Sequence, residues 1–246
     1  DEDDKKSLIA TNGKGKSTLH KIIASKEDAD SGKITFRNDL RVAYLDQTPD
    51  FGSSAVIRDV LTQHAPSDAA ERDDYVARLE RTLQQLGISN LDEPLDKLSG
   101  GEKKRIAIAQ AVVDSPELLI LDEPTNHLDI DAIEWLESYL RRSRIALLMV
   151  THDRYFLDRV CNKIIEIDNC TAYTYQGNYE YYLRRRQERI EAMTAEQTKL
   201  KNTLRREQEW MRRQPQARAG KAKYRIDAFY DLKERANVNL SQRDVN

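Results

Sequence analysis

The chain has 246 residues, 33% of them charged and 39% hydrophobic, with a net charge of −2, a balance that fits one α/β core plus a solvated helical appendage. No run approaches the roughly 18 uncharged apolar residues of a membrane-spanning helix, and Asp1–Lys6 is charged, so neither a membrane span nor a signal peptide is expected. The charge is segregated: residues 180–235 hold 16 Lys/Arg against 9 Asp/Glu, a net +7, which leaves −9 for the first 179 residues because the last 11 are balanced. An acidic body with a basic extension implies that the extension meets a polyanion and the body does not.

In chain order, Leu8-Ile9-Ala10 reads as a strand, followed by a Gly-rich turn and a helix over 17–24. Strands are expected over 33–37 and 41–45, and a helical pattern over 54–86, with Ile57, Val60, Leu61, Tyr75, Leu79, Leu83 and Leu86 on its apolar stripe. From 95 to 175 the order is helix, strand, helix, strand, helix, hairpin. The runs 118–121 and 145–150 are apolar throughout, as strands of a parallel sheet covered on both faces are. Asp168-Asn169-Cys170 is the hairpin turn. The two cysteines, Cys161 and Cys170, have no metal-type spacing to histidine and read as packing residues of a reduced, cytoplasmic protein. From Tyr179 a long helix follows, with Ile190, Met193, Gln197, Leu200, Leu204 and Met211 spaced as a coiled-coil seam. Pro215 and Gly220 mark a turn. A second helix over 222–236, with Ile226, Phe229 and Leu232 or Lys233 facing back, completes an antiparallel hairpin with a basic tip.

Three segments carry chemistry. Asn12-Gly13-Lys14-Gly15-Lys16-Ser17-Thr18 follows a strand and opens a helix, the setting of a phosphate-cradling P-loop. In that role Lys16 reaches the β- and γ-phosphates of ATP and the Ser17 hydroxyl ligates Mg2+. Ala10 stands where such loops begin with glycine, which a negative φ tolerates. The buried run 118–121 ends in Asp122 and Glu123; Asp122 suits a water-mediated Mg2+ ligand and Glu123 a general base. Ser99-Gly100-Gly101-Glu102 precedes a helix, where Ser99 is a cap and the glycines leave amides bare for a second phosphate. Taken singly, these segments also read as a surface turn, a solvated strand end and an ordinary capped helix.

Their order resembles the ATP-binding cassette (ABC) ATPases. Leu98-Ser99-Gly100-Gly101-Glu102 resembles the family signature, Leu121-Asp122-Glu123-Pro124 its acidic strand end, Gln47 its Q-loop glutamine, Asn126-His127-Leu128-Asp129 its D-loop and His152 its switch histidine. The resemblance implies an α/β P-loop ABC domain over 1–178, binding ATP and Mg2+. It further implies Gln47 between Mg2+ and the attacking water, His152 on the γ-phosphate, Asp129 in the D-loop, and a composite site in which Ser99–Glu102 serve the nucleotide of a second ABC domain, in cis or in a homodimer. A narrower resemblance is to the ABC-F subfamily, soluble tandem ATPases that act on ribosomes. It rests on Glu123–Asp129, on Gly177–Tyr182 leading into a charged helix, on Trp210–Arg213 and on Ala217–Asp227. It implies a helical hairpin linker over 179–240 reaching ribosomal RNA and tRNA, and a tail over 241–246 leading to a second ATPase domain. The family fold also has two strands and an adenine-stacking aromatic ahead of Leu8, so a truncated chain is expected.

Arg205, Arg206, Arg212, Arg213, Arg218, Lys221, Lys223 and Arg225, with Trp210 and Tyr224 among them, suit phosphate neutralisation and base stacking. Trp210 also suits packing between the hairpin helices. The span from Gln47 to Leu98 leaves little room for an extra arm, which resembles the housekeeping Uup group. Two other classes share the motifs: a transporter's nucleotide-binding subunit and a DNA-maintenance ATPase acting on branched DNA. The basic hairpin argues against the first, and the shortness of the arms against the second.

Overall fold

The computed structural model describes residues 4–10, 15–51, 56–168, 171–212, 227–231 and 233. The chain divides into two compact units, Asp1–Tyr182 and Leu183–Asn246.

The first unit is built on a six-stranded sheet. Its order is β2 (Val42–Leu45), β3 (Leu118–Asp122), β4 (Ala146–Val150), β1 (Lys5–Ala10), β5 (Lys163–Asp168) and β6 (Thr171–Gln176). The first five strands are parallel and β6 pairs antiparallel with β5. The continuous apolar runs of β3 and β4 reach this central position because both faces are covered. Leu119, Ile120, Leu121, Leu147 and Met149 are all buried. Helices α1 (Lys16–Ile23), α2 (Ile57–Gln63), α3 (Ala69–Gln85), α4 (Gly100–Val113), α5 (Ile130–Arg142) and α6 (Arg154–Val160) supply the cover, and α7 (Tyr179–Arg212) follows β6. One continuous core joins Ile57, Val60, Leu61, Tyr75, Leu79, Leu83 and Leu86 to the sheet residues.

Three expectations are corrected. Residues 33–37 form no strand. A strand needs a partner and an apolar face to cover, yet Ile34 is 42% exposed, and Gly32 and Asp39 bracket the segment with positive φ. The helical pattern of 54–86 is two helices, because Pro66 cannot continue the first. Asp68 starts the second by accepting hydrogen bonds from the amides of Ala70 and Glu71. The apolar stripe is buried all the same. In α4, Ser99 and Glu102 form a capping box that draws both glycines into the first turn, so the helix begins at Gly100 rather than Lys103. Cys161 is buried, as a packing residue should be, and burial pushes its thiol up to about 12. Cys170 lies outside the described residues.

In the second unit, Gln197, Leu200 and Leu204 of α7 are half-buried, as the seam requires, and so is Trp210. Ile190 and Met193 are 37% and 49% exposed, so the seam is covered only in its later half. Of the expected second arm, 227–231 and 233 are helical, with Phe229 buried between exposed Ala228 and Tyr230; Ile226 and Leu232 lie outside the described residues, as does the Met211 side chain.

Candidate functional site

Parallel strands end on one edge, and a crevice at their carboxyl ends is where such sheets bind ligands. The segments after Ala10 in β1, Leu45 in β2, Asp122 in β3 and Val150 in β4 all leave from this edge. Ala10 is held in strand pairing with Ile167 and needs no positive φ. Gly15 ends the loop in the left-handed region, φ 72°, where a side chain would be strained, and caps α1. Lys16 opens the helix and its Nζ donates to the Ala10 carbonyl at 2.8 Å, which folds the ammonium back over the loop. Ser17 is half-buried and Thr18 exposed; Asn12, Gly13 and Lys14 lie outside the described residues. A cavity of about 260 Å3 borders this loop, lined by Ala10, Lys16, Thr151, His152 and Arg154 among others.

Asp122 and Glu123 stand at the end of β3 in unequal settings. Asp122 is 1% exposed and its Oδ2 has no hydrogen-bond partner among the described residues. A buried carboxylate oxygen left open in this way is the hard oxygen chemistry that suits Mg2+. Glu123 has φ 45°, a strained backbone of the kind that collects at functional sites. Its amide donates to the Val150 carbonyl at 2.9 Å, fixing the turn against β4. Its carboxylate faces His152: Oε2 accepts the His152 amide at 3.2 Å and Oε1 lies 3.3 Å from Nε2. Burial pushes the Glu123 carboxyl above the usual carboxylate range; His152 opposes this, the Asp122 charge adds to it and Lys16 lowers it. A carboxyl so placed is oriented by a partner, as a proton acceptor must be. The His152 side chain itself is 68% exposed.

The signature segment sits at the start of α4 with Ser99 and Gly100 exposed. Ser99 donates its amide and hydroxyl to Glu102 at 2.8 and 2.7 Å and accepts the Glu102 amide at 3.3 Å. Those donors hold the Glu102 carboxyl below its ordinary value. At Gly101 a Cβ would lie 2.5 Å from the His127 carbonyl oxygen, so only glycine lets α4 pack on the D-loop. His127 itself has φ 65°. Asp129 caps α5 by accepting the Ala132 amide and pairs with Arg105 at 2.9 Å. Gln47 is exposed at its side chain, while its carbonyl is held from α4.

Sequence reasoning passed over what holds it. Lys104 is 1% exposed, and burial lowers its ammonium to about 8, against the raising charges of Asp122, Asp46 and Glu123. The signal was its phase: Lys104 stands four residues before Ile108 and eight before Val112, on a stripe that is otherwise apolar. His20 was also missed. It is fully buried in α1, with both ring nitrogens unpartnered among the described residues, and burial lowers its pKa against the pull of Asp122. Of the basic residues expected on nucleic acid, Arg205, Arg206 and Arg212 are exposed on α7. Arg213, Arg218, Lys221, Lys223 and Arg225 lie outside the described residues.

Comparison with known proteins gives this geometry a context. Residues 2–126 match the protein family described as ABC transporter, and residues 165–246 match a second family of the same description. The uncharacterized ABC transporter ATP-binding protein YfmR of Bacillus subtilis is 40% identical over 276 aligned positions, covering 98% of this chain and 44% of that protein. The energy-dependent translational throttle protein EttA of Mycobacterium tuberculosis is 32% identical, over 92% of this chain and 46% of that protein. The chain thus spans about half the length of the curated relatives it matches. A solved ATP-binding subunit of an ABC transporter superposes with a TM-score of 0.64 at 24% identity, over 72% of this chain and 80% of that one, a likeness of fold.

Proposed function

The chain belongs to the ABC transporter family of ATPases, and from that premise we propose an ATP-binding and ATP-hydrolysing domain of the ABC-F type, whose closure on a second ABC domain sets a basic helical extension on ribosomal RNA and tRNA. The observation that carries the ATPase reading is the Glu123 carboxylate, buried, raised in pKa and gripped by His152 beside Lys16 and Asp122. Glu123 takes the proton of the attacking water, and His152 orients it and meets the γ-phosphate. Lys16 and the amides of the 12–18 loop hold the phosphates. Ser17, Asp122 and Gln47 are the residues to hold Mg2+, directly or through water. Bound there, the ion supplies charge neutralisation between the phosphates.

Ser99–Glu102, exposed at the start of α4, serve the nucleotide of a partner domain, in the same polypeptide or in a second copy. Turnover by this domain alone is then low. The similarity to EttA, by name a translational throttle protein, supports a role in translation. Exposed Arg205, Arg206 and Arg212 support the extension as the nucleic-acid contact. The segment between Gln47 and Leu98 is filled by α2 and α3, which supports a member without an additional arm there, as in the Uup group. Among the described residues no helix is long and apolar enough to cross a membrane. The proposed site of action is the cytoplasm.

The test is co-sedimentation of the complete protein with ribosomes under ATP, ADP and no nucleotide, in parent and Glu123→Gln forms. ATP-dependent pelleting, strengthened by Glu123→Gln, is expected. Binding indifferent to both nucleotide and variant refutes the switch, and preferential capture of branched DNA or of a membrane permease replaces the ribosome as partner.

A further inference from the structure

The buried ammonium of Lys104 has three N–H donors and faces three backbone carbonyls. Nζ donates to Asp46 at 2.8 Å, Gln47 at 3.1 Å and Asp122 at 3.3 Å. All three protons therefore have an acceptor, the condition under which a cation tolerates a site only 1% exposed. These acceptors come from two segments far apart in sequence, the loop just past β2 and the last residue of β3. The Asp46 and Gln47 carbonyls lie beyond the β2 ladder, which ends at the Leu45–Leu121 pair. The donor rises from the second turn of α4, whose first turn presents exposed Ser99 and Gly100. Residues on either side of Lys104 grip the D-loop: Gly101 in the first turn packs on the His127 carbonyl and Arg105 in the second pairs with Asp129.

We propose that Lys104 is a positioning residue that locks the Gln47 loop to Asp122 and to the start of α4, so that the glutamine, the acidic strand end and the signature serine keep one fixed arrangement. An apolar side chain at this point of the stripe would fill the space but leave the two loop carbonyls without a donor. The Gln47 loop would then lose its link to the last residue of β3 and to α4. Lys104 does not touch the reacting atoms: it acts through the main chain of Gln47 and Asp122.

The experiment uses Lys104→Met, close in volume but without donors, and Lys104→Arg, in the complete protein. Backbone hydrogen exchange is read without nucleotide. Lys104→Met is expected to raise exchange across 46–49 about tenfold or more while the α4 interior around Ile106–Ala109 and β3 keep their protection. Lys104→Arg is expected to recover much of that protection. The proposal rests on the ATPase reading for its kinetic arm alone: kcat falls about tenfold in Lys104→Met with KM for ATP little changed, and Lys104→Arg regains part of it. Unchanged exchange at Gln47, or a uniform rise through α4 and β3, overturns the proposal. A parent that binds but never hydrolyses ATP overturns the ATPase reading instead, and the exchange result still decides the lock. If Lys104→Met does not fold, Lys104→Gln, which keeps two donors, takes its place; intermediate exchange supports the lock and parental exchange overturns it.

Discussion

At the carboxyl edge of the sheet, polar side chains are held by others: buried Glu123 by His152, buried Lys104 by three carbonyls, and exposed Asp129 by α5 and Arg105. Along α7 most polar side chains are exposed, and even the apolar seam is open at Ile190 and Met193. The same chain thus contains a region where Glu123, Lys104 and Asp129 are held from distant segments and a region where side-chain bonds such as Arg185–Glu188 and Gln187–Glu191 run within one helix. Strain sits in the first, at Glu123 and His127 with positive φ. The contrast matches the division of labour proposed for them. Phosphate chemistry needs atoms fixed to within a fraction of an ångström, whereas contact with an RNA backbone needs charge on a stiff rod.

The sharpest break of the first region is Glu123→Gln. Removing a general base is expected to lower kcat of the complete protein by about 10²- to 10⁴-fold with nucleotide binding retained. A pH series adds a sign. The Glu123 carboxyl is raised in the fold, so turnover by the parent should rise with pH through a range above that of an ordinary carboxylate, as the base ionises. The same raised value means that Glu123 adds to stability when protonated and that this contribution is lost as pH rises through its folded pKa. Glu123→Gln is therefore expected to unfold no earlier than the parent at pH 8, measured by thermal melts. A variant with full turnover, or one markedly less stable at pH 8, contradicts this account.

The next effect belongs to the core beneath the edge. Leu83 on α3 is fully buried, and Leu83→Ala should cost about 2–5 kcal/mol in denaturant unfolding. A loss below about 1 kcal/mol would mean that α3 packs more loosely than its burial states.

Most of the core, Leu83 included, was legible because apolar spacing reports burial directly. Strands β3 and β4 were readable as covered on both faces, and Asp122, Glu123 and Ser99 stood where a strand end and a helix cap place them. The failures share a cause. Whether 33–37 becomes a strand depends on a pairing partner, whether Ile190 is covered depends on what lies against α7, and what Lys104 touches depends on carbonyls 57 and 58 residues away. Each is settled by a distant segment that no local pattern contains. Pro66 is different: it is local and visible in the sequence, and it stops a helix even where the apolar stripe continues across it.

Adjacent glycines of the signature offer a finer comparison within the first region. Gly101→Ala would set a Cβ 2.5 Å from a backbone carbonyl, so α4 or the D-loop must shift, at about 1–3 kcal/mol. Gly100→Ala meets nothing within 4 Å and should leave stability unchanged or slightly higher, since alanine favours a helix. Equal melting temperatures for the two variants would mean that α4 does not rest on His127. On α7, reversing Arg205 and Arg206 together should leave the melt of the protein unchanged. It should flatten the salt dependence of RNA binding by roughly 1.5–2 units of slope, two phosphate contacts' worth. An unaltered slope removes these arginines from the interface.

The smallest effect is the one that most directly separates the two regions. Ile190 lies on the α7 stripe at the spacing of a seam residue, yet is 37% exposed, while Leu204, two heptads further on, is half-buried. If exposure governs, Ile190→Gln should change stability by no more than about 0.5 kcal/mol, because little apolar area returns to water and glutamine sits well in a helix. Leu204→Gln should cost clearly more, since it places an amide against the covered part of the seam. Denaturant melts of the two variants, followed by helix content, make the comparison. A loss at Ile190 equal to that at Leu204 would show that the seam closes along its whole length in solution, so that α7 gains a second packed face and loses its standing as the exposed counterpart of the sheet edge.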